Sequence, residues 1–589
     1  LDIADACVMP YFCDYDRDGD LDVYIVCYNL YPPEGYPASP NDVYEMVEGR
    51  PVFKKDYGRY YGFVPAGNGT SQVSIRGRRD YLLRNEGPGP QGTSRFADVT
   101  EQAGIYEPGY GLAAHWWDFD QDGDFDLYVA NDVEDPDHLY QNNGNGTFTD
   151  VIGEVIPHTT YFSMGAATGD INNDQRDDLL VLDMAATTHF KSKVSMGEMR
   201  GLEKEVLANS HPRQVMRNAL HINTGTGRML EGAFLAGLAQ SDWSWAPVLA
   251  DFDHDGHLDV FISNGMTRLF TDSDRKIPPA AWIGKSEFEV HIDAPENPEQ
   301  NLAFTNLGRL EFDDVSQRWG LNHVGMSFAA ATGDLDKDGD LDLVVNNLNE
   351  PPSMYCNRSE GTNRKIVRLQ SPGTNRDAIG AVVTMKTDQS AQRRTIMPQS
   401  GFAAHHQAVA HFGWPEEQQL QELRIVWPDG HIQVVTDIPA QRNITITRDE
   451  GTGESDRDEP ARMATWFRPL KLPPAAIHVE REFDDFAQQP LLPNKYSQLG
   501  PGIACGDIDN DGDDDVYIGG AAGQLGELLR NDDGQMVSTR TLTDLQLSDN
   551  TRDPFMAPAG TENLAKGKTV TSSAASTNFG KLEQITDGL

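Results

Sequence analysis

Asp14-Tyr-Asp16-Arg-Asp18-Gly19-Asp20-Leu-Asp22 is the stretch that decides the fold of this 589-residue chain. Its form, DxDxDGxxD, recurs with small variations at residues 118–126, 170–178, 251–259, 334–342 and 507–515. Carboxylates at alternate positions converge on one point if the backbone curls, and the glycine permits the sharp turn that this needs. Each copy therefore predicts a loop that wraps oxygen atoms around a hard cation, and we number these loops 1 to 6.

Calcium is the cation that these loops favour. Oxygen ligands without His or Cys suit Ca²⁺ better than Zn²⁺. The loops are not EF-hands, which need a Glu at position 12 and a helix on each side. An acidic turn without metal is the alternative, but four or five converging carboxylates would repel one another strongly. Loop 3 departs most from the pattern, with Asn172 for Asp and Gln175 for Gly, so we expect five or six Ca²⁺ ions.

The predicted ligands occupy positions 1, 3, 5, 7 and 9 of each loop, where position 7 offers its backbone carbonyl. Loop by loop they are Asp14, Asp16, Asp18, Asp20 and Asp22; Asp118, Asp120, Asp122, Asp124 and Asp126; Asp170, Asn172, Asp174, Arg176 and Asp178; Asp251, Asp253, Asp255, His257 and Asp259; Asp334, Asp336, Asp338, Asp340 and Asp342; and Asp507, Asp509, Asp511, Asp513 and Asp515.

Each loop runs into an apolar segment that reads as a strand, such as Val23–Val26 after loop 1. A second apolar segment that ends in asparagine follows most loops, and indicates another strand and a hairpin. Small antiparallel sheets at roughly regular spacing are typical of propeller blades. These asparagines are Asn85, Asn142, Asn223, Asn306 and Asn357.

The repeated units resemble FG-GAP/VCBS repeats over residues 1–360 and again over 490–545. This resemblance implies an all-β fold, a β-propeller with calcium in such loops, as in the integrin α-subunit head. Asp242-Trp-Ser-Trp-Ala-Pro247 is also similar to a segment of large secreted bacterial VCBS-repeat proteins. Two stretches interrupt the repeats: residues 31–78 predict a long surface excursion, and residues 186–218 predict a short amphipathic helix that packs on the fold.

The sequence pattern changes near Asn363, after which segments with alternating apolar residues predict strands that are not preceded by an acidic loop. The distinctive motifs of this region are Asn375-Arg-Asp-Ala-Ile-Gly380, His411-Phe-Gly413 and Trp427-Pro-Asp-Gly430. Residues 363–447 resemble the ASPIC/UnbV module, which commonly follows FG-GAP repeats. The resemblance implies a small β-sandwich-like domain without an established reaction. Adjacent His405 and His406 would fall on opposite faces of a strand, so we expect them and His411 to hold no metal.

The rest of the chain reads as three segments. Residues 448–489 predict a linker that is rich in Gly, Pro and charged side chains. Residues 490–545 contain one additional repeat, which either completes the first propeller or begins another, because a single repeat cannot bury a core alone. Residues 560–589 resemble the opening of a discoidin-like carbohydrate-binding domain.

Composition excludes several classes of function. The 91 acidic side chains against 48 basic ones give a net charge of −43, which repels nucleic acid and anionic lipid. No apolar run approaches the ~20 residues of a membrane helix, so we expect no membrane span. Five cysteines without CxxC spacing fit neither a disulfide framework nor a zinc site, although Cys13 could pair with Cys7 or with Cys27.

These patterns predict an extracellular or cell-surface protein that binds calcium and serves adhesion or scaffolding. Protein or glycan partners would bind through propeller loops, including residues 31–78 and the aromatic-rich stretch 106–117. The alternatives are a structural subunit that self-assembles into a filament or surface array, and a polysaccharide-active enzyme on a propeller scaffold. We expect no enzyme, because the sequence contains no GxSxG motif, no HExxH motif and no GxxxxGK[ST] phosphate loop, and the patterned carboxylates serve calcium.

Overall fold

The computed structural model describes residues 3, 5–39, 42–47, 49–54, 56–65, 71–89, 94–105, 108–133, 135–194, 210–359, 363–449, 472–489, 500–509, 511–521, 524–532 and 535–538. The fold is almost entirely β, and it divides into two compact units, Leu1–Thr465 and Trp466–Leu589. Helices are short: α1 (Ile152–Val155), α2 (His189–Val194), α3 (Ala233–Ala236), α4 (Glu287–His291), α5 (Ser316–Trp319) and α6 (Asp485–Gln488), with 3₁₀ turns at Tyr57–Arg59, Pro279–Ala281 and Pro474–Ala476.

The first two blades are antiparallel sheets with the orders β1-β2-β7-β8 and β12-β11-β10-β9. Between β2 and β7, the predicted excursion 31–78 forms the hairpins β3–β4 and β5–β6. The strands are β1 (Cys7–Cys13), β2 (Asp22–Cys27), β3 (Tyr44–Val47), β4 (Arg50–Phe53), β5 (Tyr61–Pro65), β6 (Ser71–Ile75), β7 (Tyr81–Pro88), β8 (Ser94–Asp98), β9 (Gly111–Trp117), β10 (Asp126–Asn131), β11 (His138–Asn142) and β12 (Phe148–Asp150).

Blades 3, 4 and 5 have the orders β14-β15-β18-β19, β16-β20-β21-β23-β24 and β26-β27-β28. Most of the helix predicted within 186–218 lies outside the described residues, and α2 is the part that is described. The strands are β13 (Thr159–Thr160), β14 (Ala166–Gly169), β15 (Asp178–Val181), β16 (Met184–Ala185), β17 (Gln214–Val215), β18 (Ala219–Asn223), β19 (Met229–Glu231), β20 (Asp242–Ala250), β21 (Asp259–Asn264), β22 (Glu299–Gln300), β23 (Leu302–Asn306), β24 (Phe312–Asp314), β25 (Val324–Gly325), β26 (Ser327–Gly333), β27 (Asp342–Asn347) and β28 (Ser353–Tyr355).

The five sheets stack face to face like the blades of a propeller. Their first strands, β1, β9, β14, β20 and β26, contact one another in that sequence. Because neighbouring sheets cover both faces, β9, β10 and β21 are buried along their whole length. Trp116 and Trp117 are each only 1% exposed. The prediction that this end of the stretch 106–117 forms a partner-binding surface is therefore wrong, because blade packing uses these aromatic rings.

Residues 363–449 form two sheets over one apolar core, and we call them the module. The orders are β32-β29-β35, in which β29 and β35 are parallel, and β31-β30-β33-β34. Val383, Phe412 and Trp427 lie in the shared core, which gives the predicted β-sandwich-like form. The strands are β29 (Asn363–Gln370), β30 (Val382–Thr387), β31 (Ala391–Thr395), β32 (Ala410–Trp414), β33 (Leu420–Val426), β34 (Ile432–Val435) and β35 (Asn443–Thr447).

One segment of the module, residues 396–409, passes among the first strands of the blades. The ring of Phe402 lies 4.9 Å from that of Trp245. Gly401 forms a backbone bridge with Ala166 in blade 3. We call this segment the plug, because it occupies the space that the inner strands of blades 2 to 5 surround.

The described residues of the second unit form a sheet with the order β36-β37-β38-β39, and loop 6 connects its first two strands. Most of the predicted linker and all of the discoidin-like stretch 560–589 lie outside the described residues. The strands are β36 (Ile503–Gly506), β37 (Asp515–Ile518), β38 (Glu527–Asp532) and β39 (Gln535–Ser538).

Candidate calcium centres

Each acidic loop connects the first and second strands of its blade, so the loops of the five blades lie at one edge of the stack. The position-6 glycines adopt φ values of 89° to 102°, which L-residues rarely adopt. The position-4 residues of loops 1 to 5 also have positive φ, between 57° and 65°. Two left-handed residues in one short loop turn its side chains inward. The spacing of the motif in the sequence predicts the turn at glycine, but it does not predict the left-handed residue at position 4.

Hydrogen bonds hold this curl in the same way in all six loops. The Oδ2 atom at position 1 accepts the N–H of residue 6 at 2.9 to 3.3 Å. The Oδ1 atom at position 5 accepts the N–H of residue 7 at 2.8 to 3.2 Å. The carboxylates at positions 1, 3 and 5 consequently converge, and one ligand atom from each lies within 4.8 Å of the others in loops 1, 2 and 4. Loop 5 brings together Asp334, Asp336 and Asp342, and also Asp336, Asp338 and Asp340.

Loops 1, 2 and 4 each have a buried oxygen atom at position 1 without a partner, which fits a cation. The Oδ1 atoms of Asp14, Asp118 and Asp251 are buried and accept no hydrogen bond. Burial, with repulsion from the other loop carboxylates, raises the pKa of each of these three groups to about 7. A divalent cation would supply the missing partner and favour the ionised form. The oxygen-only donor set is the one that Ca²⁺ prefers.

Loop 3 is built differently. Both oxygens of Asp170 accept N–H groups, from Asp174 at 2.8 Å and from Gln175 at 2.9 Å, as those of Asp334 do in loop 5, so the difference lies at position 7. Arg176, which we expected to offer only its carbonyl, directs its guanidinium to Asp174 Oδ2 at 3.0 Å. The loop thus carries a positive charge of its own beside the predicted ligands.

The aspartate at position 9 has a structural role that the sequence analysis missed. Its Oδ1 accepts the N–H of the asparagine that ends the third strand at 2.7 to 2.9 Å. In loops 2 to 6 its Oδ2 accepts the N–H of residue 2 at 2.8 to 3.2 Å. Each carboxylate oxygen keeps a second lone pair for a cation, so position 9 can close the loop and bind metal together.

The asparagines that end the third strands also join neighbouring blades. In blades 2 to 5 the Nδ2 group donates to the position-2 carbonyl of the preceding loop at 2.7 to 3.0 Å. The recurrence of asparagine at this place was visible in the sequence, but its partner lies more than 100 residues away in the chain. The pairs are Asn142 with Tyr15, Asn223 with Phe119, Asn306 with Ile171, and Asn357 with Phe252.

The histidines of the module take separate positions. His405 is exposed, and His406 Nδ1 accepts the N–H of Thr332 at 3.1 Å. His411 is buried, and neither of its ring nitrogens has a hydrogen-bond partner. His406 and His411 line a cavity of about 120 Å³ between the plug and the blades. The three rings thus have different surroundings, and the expectation that they hold no metal stays a prediction.

Cysteine pairing differs from the two pairs that the sequence left open. All five cysteines are free, so neither Cys7–Cys13 nor Cys13–Cys27, the two pairs that the sequence left open, is formed. Cys7 instead lies opposite Cys27 on β1 and β2, with 3.6 Å between the sulfurs. Antiparallel register explains this, because Cys13 lies opposite Asp22. In the described part of the chain, no helix combines the length and apolar character that a membrane span requires.

Comparison with known families matches two parts of the chain. Residues 118–181 match the model of the FG-GAP-like repeat, and residues 371–453 match the model named ASPIC and UnbV. The first match spans loops 2 and 3, and the second covers most of the module. Together they confirm the resemblance to FG-GAP and ASPIC/UnbV proteins and the propeller-like, all-β class of the fold.

Curated relatives agree with these matches. The chain is 23% identical over 451 residues to cartilage acidic protein 1 of Xenopus tropicalis, covering 71% of this chain and 61% of that protein. It is 25% identical over 350 residues to human cartilage acidic protein 1, covering 52% and 49% respectively. The chain thus spans about half to three fifths of the length of these relatives.

Among solved structures, a lectin of Agrocybe aegerita described as recognising non-reducing terminal N-acetylglucosamine covers 60% of this chain and 81% of its own. The identity is 14% and the TM-score 0.24, a likeness too weak to support an argument.

Proposed function

We propose that this chain is part of a secreted, calcium-dependent scaffold for adhesion. The observation that carries the proposal is the convergence of carboxylates in the acidic loops, together with the buried, unpartnered oxygens of Asp14, Asp118 and Asp251. Calcium sites in extracellular modules typically have dissociation constants of about 10⁻⁴–10⁻³ M. Such sites fill outside cells, where they would stabilise the blades by mass action.

The partner surface in this proposal is the edge of the stack opposite the loops. There, connections between second and third strands carry the long insertions of blades 1 and 4. These two insertions meet, since the rings of Tyr36 and Trp282 lie 5.6 Å apart and Tyr36 pairs with Ile283. Apolar side chains beside this junction are exposed: 50% for Ile283, 58% for Phe288 and 47% for Ile292. Exposed apolar and aromatic groups of this kind suit a protein or glycan partner.

Binding to immobilised matrix proteins and glycans, with calcium or with a chelator, tests this proposal. We expect binding that requires calcium and that falls at least tenfold in a Phe288→Ser variant, because an exposed aromatic anchor is lost. Val434→Ser is the matched control, since Val434 is exposed on the module instead. Equal binding by both variants and the parent chain would show that the insertions are not part of the partner surface.

Self-assembly remains the second function to test, because the same exposed apolar edge could meet another copy. Ordered oligomers that form with calcium and without an added partner would favour a structural subunit. The expectation that the chain has no enzymatic activity stays a prediction.

A further inference from the structure

The module lies along the calcium-loop edge of all five blades in the first unit. At loops 1, 3, 4 and 5 the contacts are hydrogen bonds. At loop 2 the backbone of Gly380 packs so closely on the ring of Phe125 that a Cβ atom would not fit. A domain of unknown role thus covers the proposed metal sites. From loop 1 to loop 5 the contacts are Thr374 with Gly19, Gly380 with Phe125, Ala391 with Gln175, Gly413 with Asp251, and Asn443 with Asp334.

At loops 4 and 5 the module reaches the first ligand itself. The N–H of Gly413 donates to Asp251 Oδ2 at 3.0 Å, and Asn443 Nδ2 donates to Asp334 Oδ2 at 2.7 Å. These Oδ2 atoms also accept the N–H of the loop glycine. The two donors together hold Oδ2 of each carboxylate, which leaves Asp251 Oδ1 without a partner, while Asp334 Oδ1 accepts the N–H of Asp338 at 3.1 Å. Outer partners of this kind set the geometry of a ligand, and their loss typically weakens metal binding by 10–100-fold.

Charge on the module complements loop 5. Arg364, whose side chain is 6% exposed, lies 2.9 Å from Asp338 and 3.3 Å from Asp340. Loop 5 carries five aspartates, so one Ca²⁺ ion would leave it negative. The guanidinium offsets part of this remaining negative charge and ties loop 5 to the module.

We propose that the module is a clamp on the calcium loops, which holds the ligands of loops 4 and 5 in place and is itself held by bound calcium. The proposal rests on the calcium binding proposed above. Linkage makes the effect reciprocal: whatever the module adds to calcium affinity, calcium adds to module docking. Loops 1 and 2 are internal controls, because within the described residues no side chain or N–H of the module donates to Asp14 or Asp118.

Hydrogen exchange of the full chain during a calcium titration tests the clamp. Asn443→Ala removes the donor to loop 5, and Asn363→Ala, whose side chain reaches Pro415 instead, is the matched control. We expect Asn443→Ala to raise the calcium concentration that protects residues 334–342 by 10–100-fold. Protection of residues 14–22 should shift less than twofold. In the parent chain, a chelator should speed exchange in β32 and β35.

The outcomes separate the clamp from calcium binding itself. If calcium protects loops 1 and 5 in the parent chain, but Asn443→Ala leaves loop 5 unshifted, the clamp is overturned. If calcium protects no loop in the parent chain, calcium binding fails first. Fast exchange of β33 and β34 in Asn443→Ala would show that the module has unfolded. Asn443→Val, which keeps a strand-forming residue in β35 and also lacks the Nδ2 donor, then carries the test, with the same shift expected at loop 5 and the same result overturning the clamp.

Discussion

At the scale of single residues, the asparagine that ends a third strand belongs to two blades at once. In blade 4, Asn306 donates its backbone N–H to Asp259 and its Nδ2 group to Leu258 of the same loop. The same Nδ2 group donates to the carbonyl of Ile171 in blade 3. Asn306 is fully buried, so a truncated side chain would leave these carbonyls without a hydrogen-bond donor, and water could not reach them as a replacement. The proposed metal loops are thereby tied to one another through the backbone.

Replacing this asparagine measures the tie between blades. We expect Asn306→Ala to lower the free energy of unfolding by about 2–3 kcal/mol, because buried carbonyls lose their donor. Asn85→Ala is the control, since Asn85 donates its Nδ2 group within its own blade, to Leu21. The difference should be about 1 kcal/mol, the worth of one buried hydrogen bond. Urea unfolding in saturating calcium measures both, and equal losses would contradict the tie.

Arg176 sets loop 3 apart. We expect Arg176→Gln to strengthen calcium binding at this loop several-fold, because the variant removes a positive charge 3.0 Å from Asp174. Arg318→Gln, on the exposed face of α5, is the control for net charge. Hydrogen exchange of residues 170–178 across a calcium titration measures the change. Unchanged or weaker binding in Arg176→Gln would show that the guanidinium does not compete with the ion.

At the scale of elements, the sequence predicts the loops and strands well, because their signals are local. A glycine at position 6 and carboxylates at alternate positions determine the curl of loop 1 within nine residues. The burial of Trp116 and the reach of Asn142 to Tyr15 depend on a neighbouring sheet. No local sequence pattern shows which residues a neighbouring sheet will cover, so an aromatic stretch is consistent with either a surface or a core position.

The plug is the element that should respond to acid. Burial lowers the pKa of His406 to about 4 and that of His115, beneath it, to about 3. Histidine in an unfolded chain titrates near 6.5, so between pH 6.5 and 4 the unfolded state binds more protons than the native state at these two positions. Each histidine thus contributes stability that is lost as the pH falls through this window, whereas the buried loop carboxylates, whose pKa values are raised to about 7, act in the opposite sense.

A variant isolates this acid response. Between pH 6.5 and pH 4, we expect the melting temperature of His406→Asn to fall less, or rise more, than that of the parent chain, because one buried histidine is removed while the buried carboxylates are the same in both. His189→Asn, at an exposed position on α2, should leave the slope unchanged. Thermal unfolding at constant calcium and ionic strength gives the slopes. A slope that is the same for His406→Asn and the parent chain would show that the plug does not open with protonation.

At the scale of the whole molecule, one edge of the blade stack serves the proposed metal sites and the module, and the other carries the insertions. The repeat count and the two family resemblances are readable from the sequence. The docking of the module is not, because Asn443 and Asp334 are separated by more than 100 residues. Because Trp116 and Trp117 are buried, the partner surface that we propose is limited to the insertions of blades 1 and 4.

Direct counting of bound calcium tests the central claim, with the metal-stripped chain titrated by calorimetry and its thermal unfolding followed in the same samples. The account predicts five or six ions and a melting temperature that rises as they bind, since ions that bind only the folded state stabilise it. The absence of calcium uptake and of any change in melting temperature would contradict the account, and would leave the acidic loops as turns without metal.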